Sequence, residues 1–292
     1  MSGTLTPAEV RAAAAKLPRV RLAHLPTPLE EATRFAAKLG GGVRVFIKRD
    51  DCTGLVLGGN KARHNEFLLA DALESGCDMI VWGALVQSNN CRQTAAACAK
   101  LGLECRLFLS RAHQKTDPQG NLLLDYLVGA RVEFTDAKVG PELYALLAAK
   151  SEEFRSAGRK PYYFNPPRVV PLAAVSYALC MAELAEQLAA MNVTPDALYV
   201  SSAGATGAGV ALGKKLLGLA CPARLICPMT GRGTYRRESP TTQTPRPSAW
   251  GYHTAFPLRN WTRTNLSSRP VTGYLHPQVR KRCTCSRRPK RF

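Results

Sequence analysis

The chain has 292 residues, of which 46% are hydrophobic and 21% are charged. This composition provides enough apolar material for one large domain or two medium ones, and it excludes a disordered protein, a disulfide-stapled miniprotein and a collagen-like repeat. No window comes near the roughly 18 uninterrupted apolar residues of a membrane-spanning helix, and the N-terminus lacks a charged region followed by an apolar stretch, so we expect a cytoplasmic protein without a membrane span or signal peptide.

The formal net charge of +19 is concentrated at one end of the chain. From Met229 onwards there are 14 basic residues and one acidic residue, Glu238, so this segment carries +13 and residues 1–228 carry +6. Seven prolines among many Thr, Ser and Arg residues interrupt any helical or strand period there. We therefore expect a disordered basic tail over 229–292, with no partner beyond nonspecific contact with nucleic acid.

The ten cysteines predict no metal site. Most lie in apolar or helical contexts, where we expect reduced and buried thiols. The close pair Cys283 and Cys285 has no further ligands nearby to complete a zinc site.

Up to residue 228 the hydrophobic pattern alternates between the helical period and short apolar runs. The predicted helices lie at 7–16 (with Thr6 as N-cap), 28–39, 61–75, 89–101, from about 121, 141–157, 171–191 and 207–217. The predicted strands lie at 43–48, 79–82, 105–109, 131–134, 162–164, 197–201 and 224–227. This alternation predicts an α/β protein with open parallel sheets and flanking helices, in which ligands bind at loops beyond the carboxyl ends of the strands.

The first candidate ligand loop is Gly58-Gly59-Asn60-Lys61, which leads from a polar turn into a helix. Paired glycines let the backbone approach a ligand closely, and the start of a helix favours an anion. A lysine in the first helical turn is unfavourable as a cation, because positive charge is stabilised at the other end. Lys61 is therefore a candidate for an imine, which needs the unprotonated amine. The structural alternative is a surface lysine on a glycine turn.

The second candidate loop, 83–90, joins a strand to a helix and contains Ser88 and Asn89. Both residues are good helix caps, so a capping role alone would explain them. The functional alternative is that their side chains point at a ligand above the sheet.

The third candidate loop, 200–209, is rich in small residues and hydroxyls between a strand and a helix. Such a loop leaves backbone N–H groups free to hold a phosphate at the start of the helix. Its glycines, Gly204, Gly207 and Gly209, are not spaced as Gly-x-Gly-x-x-Gly, no acid for a ribose follows about 20 residues on, and the Gly-Lys-Ser/Thr ending of a P-loop is missing. The pattern favours a single phosphate over a dinucleotide or ATP.

Five ordered motifs resemble the D-cysteine desulfhydrase and 1-aminocyclopropane-1-carboxylate deaminase family. They are Leu25-Pro26-Thr27-Pro28-Leu29, Lys48-Arg49-Asp50-Asp51, Gly58-Gly59-Asn60-Lys61-Ala62-Arg63, Gln87-Ser88-Asn89 and Ser202-Ala203-Gly204-Ala205-Thr206-Gly207. The resemblance covers about residues 20–228. It implies a pyridoxal-phosphate (PLP) enzyme of the two-domain tryptophan-synthase-β-like fold, also called fold type II.

The resemblance also implies a role for each matching residue. Lys61 would form the internal aldimine and transfer the substrate proton, with a pKa lowered by burial and by neighbouring cations. Ser88 would be the second catalytic residue and assist proton movement. The cofactor-binding residues implied beside Lys61 are Asn60, His64, Asn89, Ser202, Ala203, Gly204, Ala205, Thr206 and Gly207. Asn89 would face the cofactor ring and its 3′-oxygen, residues 202–207 would hold the phosphate, and no metal is expected.

The implied domains are a large PLP domain, formed by 1–60 and 172–228, and a small domain at 61–171. The segment 229–292 does not resemble the family, in which the corresponding region completes the large domain and supplies a partner for the pyridine nitrogen and a tyrosine-bearing loop. A shift of reading frame would produce such an abrupt change. A family-like translation of the coding DNA in another frame beyond codon 229 would support that interpretation.

The implied reaction is β-elimination and deamination of a small amino acid similar to D-cysteine, giving a keto acid, ammonia and sulfide, in a homodimer. Two departures indicate a subgroup with its own substrate. His64 stands where the family commonly has a phosphate-contacting lysine, and residues 165–177 replace a Gly/Ser-rich stretch. Two alternatives stay open: a PLP enzyme similar to cysteine synthase or threonine dehydratase, and an inactive, frameshifted remnant with a basic tail.

Overall fold

A computed structural model describes residues 3–112, 114–202 and 204–226, together with the backbone of two short strands further on. The helices are α1 (Pro7–Ala14), α2 (Thr33–Leu39), α3 (Lys61–Glu74), α4 (Asn89–Leu101), α5 (Gly120–Leu127), α6 (Pro141–Ser156), α7 (Pro166–Ala190) and α8 (Ala205–Leu216). The strands are β1 (Leu29–Glu31), β2 (Phe46–Lys48), β3 (Met79–Leu85), β4 (Glu104–Ser110), β5 (Arg131–Thr135), β6 (Pro161–Tyr163), β7 (Leu198–Ser201), β8 (Ala223–Ile226), β9 (Ala255–Phe256) and β10 (Gly273–Tyr274).

A four-stranded parallel sheet forms the centre of the fold, with the strand order β5-β4-β3-β6. Ile80 on β3 pairs with Cys105 on β4 and with Tyr162 on β6. Ile80 and Leu107 are fully buried, as expected for a sheet covered by helices on both faces. The predicted parallel sheet with flanking helices is therefore present, and the loop from β3 to α4 lies at its carboxyl edge.

The sequence pattern predicted one helix over 28–39. The structure does not have a single helix there. The first part of this segment forms β1, which pairs antiparallel with β2, and α2 begins only at Thr33. Leu29 lies opposite Lys48 in this pair. The pairing partner is distant in the sequence, so local helical periodicity could not reveal it.

The helix predicted at 171–191 begins five residues earlier, at Pro166. Pro166 and Pro167 occupy its first turn, where the missing N–H costs no hydrogen bond. Pro171 lies inside the helix, where it has no N–H to donate to the carbonyl oxygen one turn earlier, and Val169 nearby is buried in the core. The sequence pattern placed the start of this helix at Pro171, which instead lies inside it.

The long helix α7 packs against α1, α3 and α8. A Cβ atom at Gly209 would lie 2.3 Å from the Ala174 carbonyl oxygen, and one at Gly213 would lie 2.5 Å from the Met181 Cβ. These glycines of α8 therefore allow α7 and α8 to approach each other closely. Gly209 belongs to this helix contact rather than to a ligand loop.

Length and composition make α7 the one helix in the described ranges that could cross a membrane. However, 61% of its most apolar window is buried inside the protein, and its Glu183 forms ion pairs with Lys48 and Arg63. We therefore assign α7 as a core helix.

The strands β7 and β8 form a separate two-stranded parallel sheet. Leu198 and Val200 pack on one face against the cluster around α7. The other face exposes Tyr199 (72% accessible) and Ile226 (54%). A parallel sheet with one face in solvent is unusual, because parallel sheets are normally covered on both sides.

The division into a large domain at 1–60 and 172–228 and a small domain at 61–171 stays a prediction. The predicted disordered tail at 229–292 lies outside the described residues, apart from the backbone of the antiparallel pair β9 and β10.

Candidate functional site

Three loops of the chain meet where α3, α4 and α8 begin. The Asn60 amide donates to the Thr206 hydroxyl over 3.2 Å and joins the start of α3 to the start of α8. The Gln93 side chain accepts from the Ala62 N–H at 2.8 Å and donates to the Asn89 carbonyl at 3.0 Å, which joins α3 to α4. The three sequence-predicted ligand loops therefore form one site.

Lys61 is the first residue of α3, and its side chain is half-buried. In the described part of the chain its amine forms no hydrogen bond or ion pair. Burial lowers the pKa of Lys61 to about 8. About a tenth of this amine is therefore unprotonated at pH 7, far more than of an ordinary lysine, and the unprotonated form is the one that a lysine nucleophile requires.

The expectation that neighbouring cations also lower this pKa was wrong, since burial alone accounts for the shift. The positive charge of Arg63, the nearest cation in sequence, is neutralised by two carboxylates. Its guanidinium donates to Asp50 at 2.8 Å and to Glu183 at 3.0 Å, and Asp50 also accepts from the Tyr177 hydroxyl at 2.5 Å. This buried network anchors the first turn of α3 to α7 and leaves the Lys61 amine without a carboxylate partner.

His64 is buried one turn after Lys61 and contacts both α7 and α8. Its Nε2 lies 3.1 Å from the Thr206 hydroxyl oxygen, and its ring packs edge-on against Tyr177 at a centroid distance of 5.5 Å. Burial, followed by the charges of Lys61 and Arg63, lowers the pKa of His64 well below its usual value. His64 is therefore a neutral hydrogen-bonding group here rather than a substitute for a lysine charge.

The loop before α8 presents backbone donors at the start of that helix. Ser202 Oγ accepts the N–H groups of Gly207 at 2.9 Å and Gly204 at 3.3 Å. The N-cap residue Gly204 has no side chain of its own to cap the helix, and the N–H groups of Ala205 and Thr206 have no acceptor among the described residues. These two donors can receive an anion. The predicted loop residue Ala203 lies outside the described residues.

Ser88 is the N-cap of α4. Its Oγ accepts from the N–H groups of Asn90 and Cys91, both at 3.2 Å. Ser88 therefore does cap the helix, which was the alternative to a role in ligand binding. Because both bonds use oxygen lone pairs, the hydroxyl proton of Ser88 is still available for donation.

The Asn89 side chain is held by its oxygen. Its Oδ1 accepts from Asn121 Nδ2 at 3.0 Å and from the Arg92 guanidinium at 3.4 Å. The amide NH₂ is therefore the end of Asn89 that can donate to a ligand.

Sequence reasoning missed Arg92, Gln93 and Asn121, which connect these loops. Arg92 is 6% exposed and Gln93 is fully buried, although both lie on α4 among alanines and cysteines. A charged and an amide side chain on the apolar face of a predicted core helix were the available signal, because such groups are buried only with partners.

A cavity of about 470 Å³ opens beside the second loop. It is lined by Gln87, Gln114, Lys115, Gln119 and Gly120, between the carboxyl ends of β3 and β4 and the start of α5. In the described ranges no group of three His, Cys, Asp or Glu side chains could hold a metal ion.

Residues 20–248 match the family model described as pyridoxal-phosphate dependent enzyme. The chain belongs to this family. The chain is 39% identical over 208 residues to D-cysteine desulfhydrase of Serratia proteamaculans. The aligned region covers 70% of this chain and 62% of that protein. The chain thus spans about three fifths of the length of such curated relatives.

Solved PLP-enzyme structures agree with this assignment. A structure described as an ACC deaminase homologue is 37% identical, with a TM-score of 0.66, over 73% of this chain and 63% of that one. Diaminopropionate ammonia lyase from Escherichia coli is 16% identical with a TM-score of 0.57 over 77% of this chain and 62% of its own, a likeness of fold alone. The predicted family and the type II PLP fold class are confirmed.

The residues present fit PLP. The cofactor needs an amine for its aldehyde and donors for its phosphate. Lys61 supplies an amine with a pKa near 8, and the N–H groups of Ala205 and Thr206 supply donors at a helix start. A Cβ atom placed at Gly204 would have no heavy atom within 4 Å, so the approach to these donors is open.

Proposed function

We propose that this protein catalyses the PLP-dependent β-elimination and deamination of a small amino acid similar to D-cysteine. One water is consumed, and the products are a keto acid, ammonia and sulfide. The observation that carries the proposal is the Lys61 amine, which has a lowered pKa and no carboxylate partner in the described part of the chain, where three loops of a PLP-enzyme fold meet.

Bound PLP supplies an electron sink for the negative charge that develops when the substrate loses its α-proton. Lys61 would hold the cofactor through its amine, and the same amine would accept the proton from the substrate carbon. Ser88 donates its hydroxyl proton on the substrate side, since its lone pairs are already used by the N–H groups of Asn90 and Cys91.

The remaining residues hold the cofactor. The Asn89 NH₂ would donate to the ring oxygen, because the amide oxygen is occupied by Asn121 and Arg92. The phosphate would be held by the N–H groups of Ala205 and Thr206 and by the hydroxyl groups of Ser202 and Thr206. The predicted cofactor-binding residues Ala203, Gly204 and Gly207 stay part of this proposal.

Asn60 and His64 act on the phosphate site through Thr206. Both lie within hydrogen-bond distance of its hydroxyl oxygen. Since His64 is neutral, the site binds the phosphate with hydrogen bonds and the dipole of α8 rather than with a lysine charge.

Borohydride reduction in the presence of PLP tests the cofactor assignment. We expect mass mapping to find a pyridoxyl group on Lys61 in the full chain, and none in Lys61→Ala. Lys150→Ala, which removes a lysine on the outer surface of α6, serves as the control and keeps the adduct. Modification spread over surface lysines, with none on Lys61, would refute the proposal.

A product screen tests the substrate class. D-cysteine, L-cysteine, O-acetylserine and aminocyclopropane carboxylate are supplied separately, and keto acid, ammonia and sulfide are measured. We expect sulfide and keto acid in equal amounts from D-cysteine. Turnover of O-acetylserine alone would favour the cysteine-synthase-like alternative, and an adduct on Lys61 without turnover would favour the inactive remnant.

A homodimer and a cytoplasmic location stay part of this proposal. The dimer is checked by sedimentation of the PLP-loaded chain. A monomer at all concentrations would contradict it.

A further inference from the structure

The turn that leads to Lys61 has an unfavourable backbone. Val56 has φ 38° and Leu57 has φ 62°, and the glycines at 54, 58 and 59 also have positive φ. Positive φ is costly for any residue with a Cβ and most of all for a β-branched one such as Val56. The turn therefore needs contacts from outside to keep this conformation.

Arg92 supplies such contacts from α4. One of its terminal nitrogens donates to the carbonyl oxygen of Val56 and, at 3.0 Å, to that of Gly58. The side chain is almost fully buried, so these bonds are made away from water. A charged donor on two carbonyls of the same turn holds it more strongly than neutral donors would.

The same guanidinium also reaches the second loop. Its Nε donates to Asn121 Oδ1 at 2.8 Å, and its other terminal nitrogen lies 3.4 Å from Asn89 Oδ1. Asn121 in turn donates to the same Asn89 oxygen at 3.0 Å and to the Gln87 carbonyl at 2.8 Å. Arg92 is thus the side chain that contacts both the Lys61 turn and the Asn89 amide.

We propose that Arg92 is a positioning residue, which fixes with one guanidinium both the strained turn before Lys61 and the orientation of the Asn89 amide. The inference rests on the proposed function of Lys61 and Asn89. Lysine cannot replace it, because a single ammonium cannot span the separate acceptors that the planar fork of arginine reaches.

The test compares Arg92→Lys with Arg159→Lys in the full chain. Arg159 also bridges two elements, since it pairs with Asp78 and Glu104, but it does so at the amino ends of β3 and β4, the opposite end of the sheet. Arg159→Lys is therefore the matched control for a general loss of stability.

Two readouts use the chain without PLP. The first is limited proteolysis beside Leu57, which is 80% exposed. The second is the pH dependence of Lys61 acetylation in competitive labelling, followed by mass mapping. For Arg92→Lys we expect cleavage at Leu57 to increase about tenfold or more. We expect the labelling midpoint of Lys61 to rise by about one pH unit, because a released turn lets water reach the amine.

The third readout is PLP affinity, which should fall about tenfold or more in Arg92→Lys and stay unchanged in Arg159→Lys. Equal cleavage and equal labelling in the two variants would overturn the inference. Increased cleavage with an unchanged labelling midpoint and unchanged affinity would also overturn it, because Arg92 would then only stabilise the turn. If the wild-type chain fails to capture PLP, the proposed function fails separately, and the first two readouts still decide the role of Arg92.

Discussion

The imidazole of His64 and the hydroxyl of Thr206 lie 3.1 Å apart, and this contact connects the first turns of α3 and α8. Both residues are almost fully buried. The contact depends on a neutral imidazole, because a cation there would lie beside Lys61 and Arg63 without water. Proton binding to His64 therefore opposes folding.

The first prediction concerns stability in acid. The pKa of His64 is lowered in the folded state, so folding favours the neutral imidazole. The contribution of His64 to the free energy of unfolding is therefore present above the usual histidine pKa of about 6.5 and is lost as pH falls below that pKa. Between pH 7.5 and pH 5 the wild-type chain should lose about 1–2 kcal/mol more unfolding free energy in urea than His64→Gln. His24→Gln, at an exposed position, should keep the wild-type loss. An equal loss in His64→Gln would contradict the assignment.

The second prediction concerns the cost of a buried lysine. The pKa of Lys61 is lowered to about 8 in the folded state, so folding favours the neutral amine. The folded chain therefore keeps its full stability only above the pKa that Lys61 has in the unfolded chain, and it loses stability as pH falls through about 8. Lys61→Met should therefore be more stable than wild type by about 1–2 kcal/mol at pH 7. The gain should shrink as pH rises to about 10, while PLP capture is absent throughout. Urea unfolding at several pH values measures it, and a less stable variant at pH 7 would refute it.

The third prediction concerns Asp125 on α5. Both of its carboxyl oxygens are buried without a partner in the described part of the chain, and burial raises its pKa to about 7. Folding therefore favours the neutral carboxyl. The folded chain is fully stabilised at pH values below the pKa that Asp125 has in the unfolded chain, and this stabilisation is lost as pH rises through about 7. From pH 5 to pH 8 the wild-type chain should lose about 2–4 kcal/mol relative to Asp125→Asn.

The control for Asp125 is Asp136→Asn, an exposed position that pairs with Arg111. This variant should keep the wild-type pH dependence. If Asp125→Asn also keeps it, the Asp125 carboxyl is hydrated rather than buried.

The fourth prediction concerns Gln93, which joins the Ala62 N–H to the Asn89 carbonyl. Gln93→Leu has similar volume but removes the bond to the Asn89 carbonyl and leaves the Ala62 N–H only its longer bond to the Gly59 carbonyl, at 3.3 Å. We expect a loss of about 2–4 kcal/mol in unfolding free energy, measured without cofactor. Gln119→Leu is the control, because Gln119 is exposed and its hydrogen bonds in the described part of the chain, from Gln87 and Leu123, use only its backbone carbonyl. Equal effects of the two substitutions would show that Gln93 does not connect the loops.

The fifth prediction concerns the contact between α7 and α8. Gly209→Ala places a methyl group 2.3 Å from the Ala174 carbonyl oxygen, so the helices must separate. We expect a loss of about 1–3 kcal/mol. Gly204→Ala, where a Cβ atom has open space, should change the stability of the unloaded chain by much less. A thermal scan of both variants decides the point.

The sequence located the starts of α3 and α4 correctly, because glycines before Lys61 and the capping Ser88 mark them locally. The buried strands β3 and β4 were also found, since their apolar runs are continuous. β1 was missed because only its pairing with β2 makes it a strand. Arg92 and Gln93 were missed because their partners around the Lys61 turn lie 31 to 36 positions away in the chain. The partners of Arg63, Asp50 and Glu183, are also distant in sequence, at 13 and 120 positions.

The face of β7 and β8 that the described residues leave exposed has a consequence for handling the purified protein. Tyr199 and Ile226 stand in water on a sheet whose outer edges have no strand beside them in the described part of the chain. Apolar side chains next to free strand edges promote association between copies. Concentrated samples should therefore aggregate through this face, and dilute solutions or a mild detergent should be used before light scattering or crystallisation is attempted.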